Sequence, residues 1–144
     1  RLMNKAILWS GAEHLEGAVH AVTNMTNETA KHLAFWLPIP ELNHHFMEGL
    51  GFPKPSVRNF ATVLVRSGLY TPRVAARFPL TADVFRKNGV AVEELKLTER
   101  APLSQAMELL MLGGHTAYFL ALAHRVNPSP NPWVDHFKKA LGPP

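Results

Sequence analysis

Glu28 is the residue of this chain whose type and neighbours best suit proton transfer. Lys31 and His32 follow it at spacings of three and four, which set side chains next to one another on a helix. A carboxylate close to apolar groups has its charged form disfavoured, so its pKa rises toward the range where a proton is both taken and returned. Phe35, Trp36 and Leu37 are near enough along the chain to supply such walls. Spacing alone fits a plainer expectation equally well, an exposed Glu with salt-bridge partners along a helix. His44 and His45 stand beyond the sharp stop made by Pro38 and Pro40. Imidazole changes charge near neutrality and suits moving a proton onto and off a substrate oxygen. Lys138 and Lys139 lie beside Asp135 near the end of the chain, where cations also complement the last turn of a helix.

Several other chemistries are excluded or weakly supported. The chain has no Cys, so neither a disulfide framework nor a thiolate zinc site can form. Its eight His include no HExxH pair, and His14 and His20 are six apart, which does not place them on one helix face. No metal and no cofactor is expected. Ser67 and Ser104 lack a nucleophile-elbow context, and the turn after the first apolar run reads SGAEHL, without the glycines of a dinucleotide fingerprint.

The 144 residues are the size of one ordinary domain, and 47% hydrophobic against 18% charged residues is the balance of a globular chain. The formal charge of +4 is scattered rather than striped, which argues against nucleic acid as a partner. No uninterrupted apolar run reaches the roughly 18 to 20 residues of a membrane span, and no signal-peptide pattern opens the chain. A cytoplasmic location away from membranes is therefore expected. The chain starts at Arg1 and enters a strand-like run within four residues, so it is expected to be one domain of a longer polypeptide.

The elements that must position these residues follow from periodicity. Residues 5–10 (KAILWS) are too short for a helix and end at a Ser-Gly turn signal, which predicts a buried strand. Residues 12–36 carry apolar side chains near helical spacing, predicting one long helix, or two with a break near residues 24–26, ended by Pro38 and Pro40. A Gly- and Pro-rich loop covers residues 48–55. Residues 60–66 (FATVLVR) read as a central parallel strand, residues 71–87 as a helix opened by Pro72, and residues 90–97 as a less buried strand. A long helix over residues 103–126 is interrupted at Gly113-Gly114, and a short one covers residues 133–141. Alternating strands and helices predict a three-layer α/β domain with a mostly parallel sheet between helical layers. In such sheets ligands sit outside the carboxyl ends of the strands, here near residues 10–11, 66–67 and 97–98.

Three stretches carry a resemblance. NE-x-x-K (Asn27, Glu28, Lys31), then PELNH (Pro40 to His44) followed by Gly49, then NPSPNPWVDHFKKAL near the end, together resemble the dual-specificity phosphoglucose/phosphomannose isomerase family of the sugar isomerase (SIS) fold. The resemblance covers essentially the whole chain and corresponds to the carboxyl-terminal half of that family's two-domain polypeptide. It implies interconversion of glucose 6-phosphate, or mannose 6-phosphate, with fructose 6-phosphate through a cis-enediol, with no metal. It implies Glu28 as the base that moves the proton from C2 to C1, His44 as a ring-opening group contributed to the neighbouring subunit of a homodimer, and Lys138 as an aid to ring opening and binding. Asn27 and Asn131 are implied in substrate binding, Asn131 where the family often has Thr. His45 and Phe46 stand where the family commonly has Asn-Glu. The family's phosphate-binding loop and an arginine belong to the first domain, so this chain by itself is expected to be inactive. The alternative from another class is an SIS-like domain that kept the fold and lost the chemistry.

Overall fold

The computed structural model describes residues 2–53 and 57–142, so the last part of the loop expected at 48–55 lies outside the described residues. Four parallel strands, β1 (Ala6–Ser10), β2 (Ala34–Trp36), β3 (Phe60–Arg66) and β4 (Ala91–Lys96), lie in the order β2-β1-β3-β4. β1 and β3 are central, with Ile7, Leu8, Ala61, Leu64 and Val65 wholly buried and Thr62 buried among them, its hydroxyl donating to the Leu8 carbonyl at 3.2 Å. That is the near-continuous apolar run a parallel strand covered on both faces requires.

Helices α1 (Glu16–Glu28) and α5 (Pro102–His124) form one layer. On the other face lie α4 (Arg77–Lys87) and the 3-10 segment Phe46–Gly51. Between them run the short helices α2 (Glu41–His44) and α3 (Pro72–Ala75), and α6 (Pro132–Leu141) ends the described chain. Leu15, Val19 and Val22 carry α1 onto the sheet, and Phe46, Phe60 and Phe85 pack ring to ring beneath α4 at 6.0 to 6.3 Å.

The structure differs from the sequence expectations in four places. The helix expected over residues 12–36 starts as a 3-10 turn (Glu13–Leu15), runs unbroken through residues 24–26 and stops at Glu28; β2 occupies the stretch read as its end. Lys31 is the reason the chain can turn: it sits in the left-handed region at φ 53, and the amide of Asn27 then clamps both backbone groups of Ala34. The helix expected over 71–87 is two, because Pro79, in the first turn of α4, has no N–H to bond the carbonyl of Ala75. Gly113-Gly114 does not interrupt α5; a Cβ at Gly113 would lie 2.3 Å from Val22 Cγ2, so this glycine is where α5 meets α1. Finally, beyond the proline stop, where no helix is expected, Glu41–His44 form the short helix α2, which His44 closes.

α5 is apolar nearly all round. Its inner side buries Leu109, Ala117, Leu120 and Ala121, while Leu103, Met107, Met111 and Phe119 on the outer side are more than half exposed. Although no uninterrupted run of the sequence reads as a span, this helix is long and apolar enough to cross a membrane by length and composition; its inner side is instead packed on α1.

Candidate active site

Glu28 is the last residue of α1, at the amino end of the sheet, because α1 runs back from the carboxyl end of β1 toward the start of β2. It is exposed, and its carboxylate takes no hydrogen bond or ion pair among the described residues. The expected apolar walls are elsewhere. Phe35 packs on Phe46 and Phe60, Trp36 stacks on His20 at 5.0 Å, and the Leu37 N–H donates to the Trp9 carbonyl. With α1 ended, Lys31 and His32 are not on its face either, so the salt-bridge geometry expected along a helix does not arise.

Lys31 instead turns its ammonium to three oxygens: the carbonyl of Glu28, the carbonyl of Pro128 at 3.3 Å and Oδ1 of Asn131 at 2.8 Å. An ammonium has three donors, so all are used. Asn131 is the residue immediately before α6, whose N-terminal turn closes with the Asp135 N–H donating to the Asn131 carbonyl at 3.0 Å. One cation thus joins the NE-x-x-K stretch to the segment that starts the terminal helix. Lys138 lies on that helix, exposed and without a hydrogen bond or ion pair among the described residues.

Asn27 is mostly occupied in holding this corner. Its Nδ2 donates to the Thr23 carbonyl at 3.0 Å and the Ala34 carbonyl at 2.8 Å, and its Oδ1 accepts from the Ala34 N–H at 3.0 Å. It also lines a cavity of about 560 Å³ together with Lys31, Leu33, Asn127, Pro130 and Trp133. A cavity of about 850 Å³ lies between Gly51, Arg58, Lys87 and Asn88 and is lined by none of the candidate residues.

His44 is at the other end of the sheet. After β2 the Ile39 N–H donates to the Gly11 carbonyl beyond the carboxyl end of β1, and Asn43 Nδ2 bonds Thr81 Oγ1 at 2.7 Å in the first half of α4. His44 is exposed there and meets the edge of the His45 ring, which itself pairs with Glu41 at 3.4 Å. Within one chain, then, Glu28, Lys31 and Asn131 come together and His44 does not join them.

The carboxyl ends of the strands, where the general rule for such sheets places ligands, are closed by internal bonds. Ser67 Oγ and His14 Nε2 both bond Gln105 Oε1, at 2.6 and 3.0 Å, and the Gln105 amide donates to the Glu99 carbonyl. Tyr70 accepts from the Ala12 N–H and donates to the Val65 carbonyl. Burial pushes the Tyr70 phenol well above its usual pKa, only partly offset by the Ala12 N–H, and the Glu13 and Glu16 charges push the same way. At the end of β4, Glu108 accepts from Thr98 and Glu99; desolvation opposes its charge, but these bonds prevail and hold its carboxyl below the usual range. No group of three or more His, Cys, Asp or Glu able to hold a metal occurs among the described residues.

Residues 1–141 match the family model described as the bacterial phospho-glucose isomerase C-terminal SIS domain. The chain belongs to this family. Among curated proteins it is 28% identical over 116 residues to a bifunctional phosphoglucose/phosphomannose isomerase of Aquifex aeolicus, covering 80% of this chain and 36% of that protein. It is 25% identical over 114 residues to the protein of the same description from Caldicellulosiruptor bescii, covering 79% and 34%. This SIS domain therefore spans about a third of the length of these relatives. The crystal structure of a glucose-6-phosphate isomerase like protein from Thermus thermophilus superposes with a TM-score of 0.73 at 25% identity, covering 90% of this chain and 43% of that one. The crystal structure of glucosamine-6-phosphate deaminase from Thermotoga maritima shares the fold alone, with a TM-score of 0.60 at 10% identity over 88% of this chain and 38% of that one.

Two features of the domain had no signal in the sequence. The left-handed turn at Lys31 is invisible to periodicity. The imidazoles of His32 and His124, 92 residues apart, bond each other at 2.9 Å, and only tertiary structure brings them together.

Proposed function

We propose that this domain carries the proton-transfer half of a sugar-phosphate aldose-ketose isomerase, interconverting glucose 6-phosphate, or its C2 epimer mannose 6-phosphate, with fructose 6-phosphate through a cis-enediol. The observation that carries this reading is the Lys31 ammonium, which binds the Glu28 carbonyl and Asn131 together and so joins two of the three stretches that mark the family. Glu28 is the base: its carboxylate is accessible and free of competing partners, so it can take the proton from C2 and return it to C1. Lys138, on the helix that Asn131 starts, assists ring opening and binds the substrate, and Asn27 and Asn131 border the substrate.

His44 acts in trans. Its place at the far end of the sheet from Glu28 supports a homodimer in which each site combines Glu28 of one copy with His44 of the other. The phosphate is held by a second, preceding SIS-like domain, in keeping with relatives about three times as long as the matched segment. The 144-residue chain alone is then inactive, and ordinary turnover of glucose 6-phosphate by it would remove the two-domain part of this reading. The enzyme is placed in the cytoplasm.

Complementation tests the arrangement. In the two-domain enzyme, Glu28→Gln and His44→Ala homodimers are each expected to be nearly inactive. Mixing and reassembling them pairs one intact Glu28 with one intact His44, and random pairing restores about a quarter of wild-type activity. A mixture no more active than its components would place His44 in its own chain's site or outside the site altogether.

A further inference from the structure

His32 and His124 take no part in the chemistry above, yet they meet at the point where the site's two turns cross. Each ring abuts a left-handed residue: Lys31 at φ 53 precedes His32, and Arg125 at φ 58 follows His124. Positive φ at a residue with a side chain costs on the order of 1 kcal/mol and persists only where the surroundings enforce it. The first turn carries Lys31, and the second sends the chain from α5 toward Asn131. The two rings stack at 5.1 Å with planes 18° apart, and His32 is almost fully buried.

With both rings neutral, hydrogen-bond logic fixes the protons. The Lys5 carbonyl can only accept, so His32 Nε2, 2.7 Å away, carries the N–H. Nδ1 of a neutral His32 is then an acceptor, and the 2.9 Å bond across to His124 requires that His124 Nε2 donate. The resulting chain, His124 to His32 to Lys5, ties the end of α5, the turn after α1 and the approach to β1. The His32 backbone N–H adds a bond to the Thr26 carbonyl at 3.3 Å.

We infer that His32 and His124 are positioning residues, a tautomer-fixed imidazole latch that holds the Lys31 turn against the Asn131 turn and so keeps Lys31 on both Glu28 and Asn131. Only the catalytic consequence of the latch rests on the isomerase reading. Its geometry stands apart from it.

The test uses ¹⁵N-histidine NMR and amide hydrogen exchange on the 144-residue chain, with His124→Leu and His124→Gln. In the unmodified chain both imidazoles are expected as Nε2–H tautomers. His124→Gln keeps an N–H donor near the same place, and the exchange of the His32 and Asp135 amides stays unchanged. His124→Leu removes the donor, and those two amides exchange about tenfold faster, the worth of one lost hydrogen bond, while β3 amides keep their protection. In the two-domain enzyme kcat falls with Leu and is retained with Gln. Should His124→Leu fail to fold, the tautomers and the Gln variant decide. A His32 found as the Nδ1–H tautomer, unchanged exchange in a folded Leu variant, or equal acceleration of β3 amides would overturn the latch. The exchange pattern without any isomerase activity would leave the latch standing and remove the catalytic reading.

Discussion

Replacing Glu28 with Gln in the proposed two-domain enzyme is expected to lower kcat by about 10² to 10⁴ with little change in KM, the range that a positioned general base contributes. Gln has nearly the same shape and keeps the backbone carbonyl that Lys31 binds, so the corner of the site survives and only the basic oxygen is lost. Steady-state kinetics with glucose 6-phosphate, alongside a direct measurement of substrate binding, checks both halves of the expectation. A Gln variant retaining most of its rate would exclude Glu28 as the base. A variant that no longer binds substrate would mean that the carboxylate anchors the sugar instead. The expectation does not depend on burial of Glu28 among apolar side chains, since Glu28 is exposed.

The second large effect concerns how α5 is seated on α1. Ala in place of Gly in an exposed helix interior normally stabilises by about 0.5 to 1 kcal/mol. Gly113→Ala is expected to do the opposite, costing about 1 to 3 kcal/mol, because its Cβ would lie 2.3 and 2.6 Å from the two methyl groups of Val22, a wholly buried residue of α1. At roughly 2 to 4 °C per kcal/mol for a domain near this size, the melting temperature drops by several degrees. Gly114→Ala is the internal control: the nearest atom to its Cβ would be Met25 Sδ at 3.9 Å, so the ordinary helix gain is expected there. Val22→Ala should recover most of the Gly113→Ala loss, and thermal denaturation of the four variants reads the coupling directly. Equal behaviour of the two glycine variants would mean that α5 and α1 are not so closely apposed. The consequence reaches the site, because α1 delivers Glu28 at its end and α5 leads into the turn that delivers Asn131.

The sheet's centre was legible because its residues leave no choice. A run such as FATVLVR can be neither a surface helix nor an amphipathic strand, β1 followed from a short apolar segment ended by a turn, and β4 from a more alternating, less buried one. β2 was not legible. AFW is three residues long and continues the apolar spacing of the preceding helix, and what ends that helix is one left-handed lysine and one asparagine amide clamped on Ala34, neither of which periodicity senses. Missing β2 also hid the geometry of the site: it is this strand that carries the chain from the amino end of the sheet to the carboxyl end, putting Glu28 and His44 at opposite ends. The general rule for open α/β sheets pointed to the carboxyl ends of the strands, but there Gln105, Ser67, His14 and Tyr70 are held by internal hydrogen bonds. The residue types of the candidate site were readable, and the resemblance grouped them. Their meeting through Lys31 was not, because that contact spans 100 residues and depends on a backbone conformation that lysine rarely adopts.

The central claim is proton transfer at C2 through an enediol, and solvent hydrogen exchange reads it most directly. Fructose 6-phosphate incubated in D₂O with the proposed two-domain enzyme is expected to yield glucose 6-phosphate carrying deuterium at C2, with deuterium also entering C1 of the remaining ketose, and Glu28→Gln should abolish both. Formation of glucose 6-phosphate with no solvent deuterium at either carbon even after many turnovers at equilibrium, or deuterium entry undiminished in the Gln variant, would contradict the assignment of Glu28 as the base of an enediol isomerase.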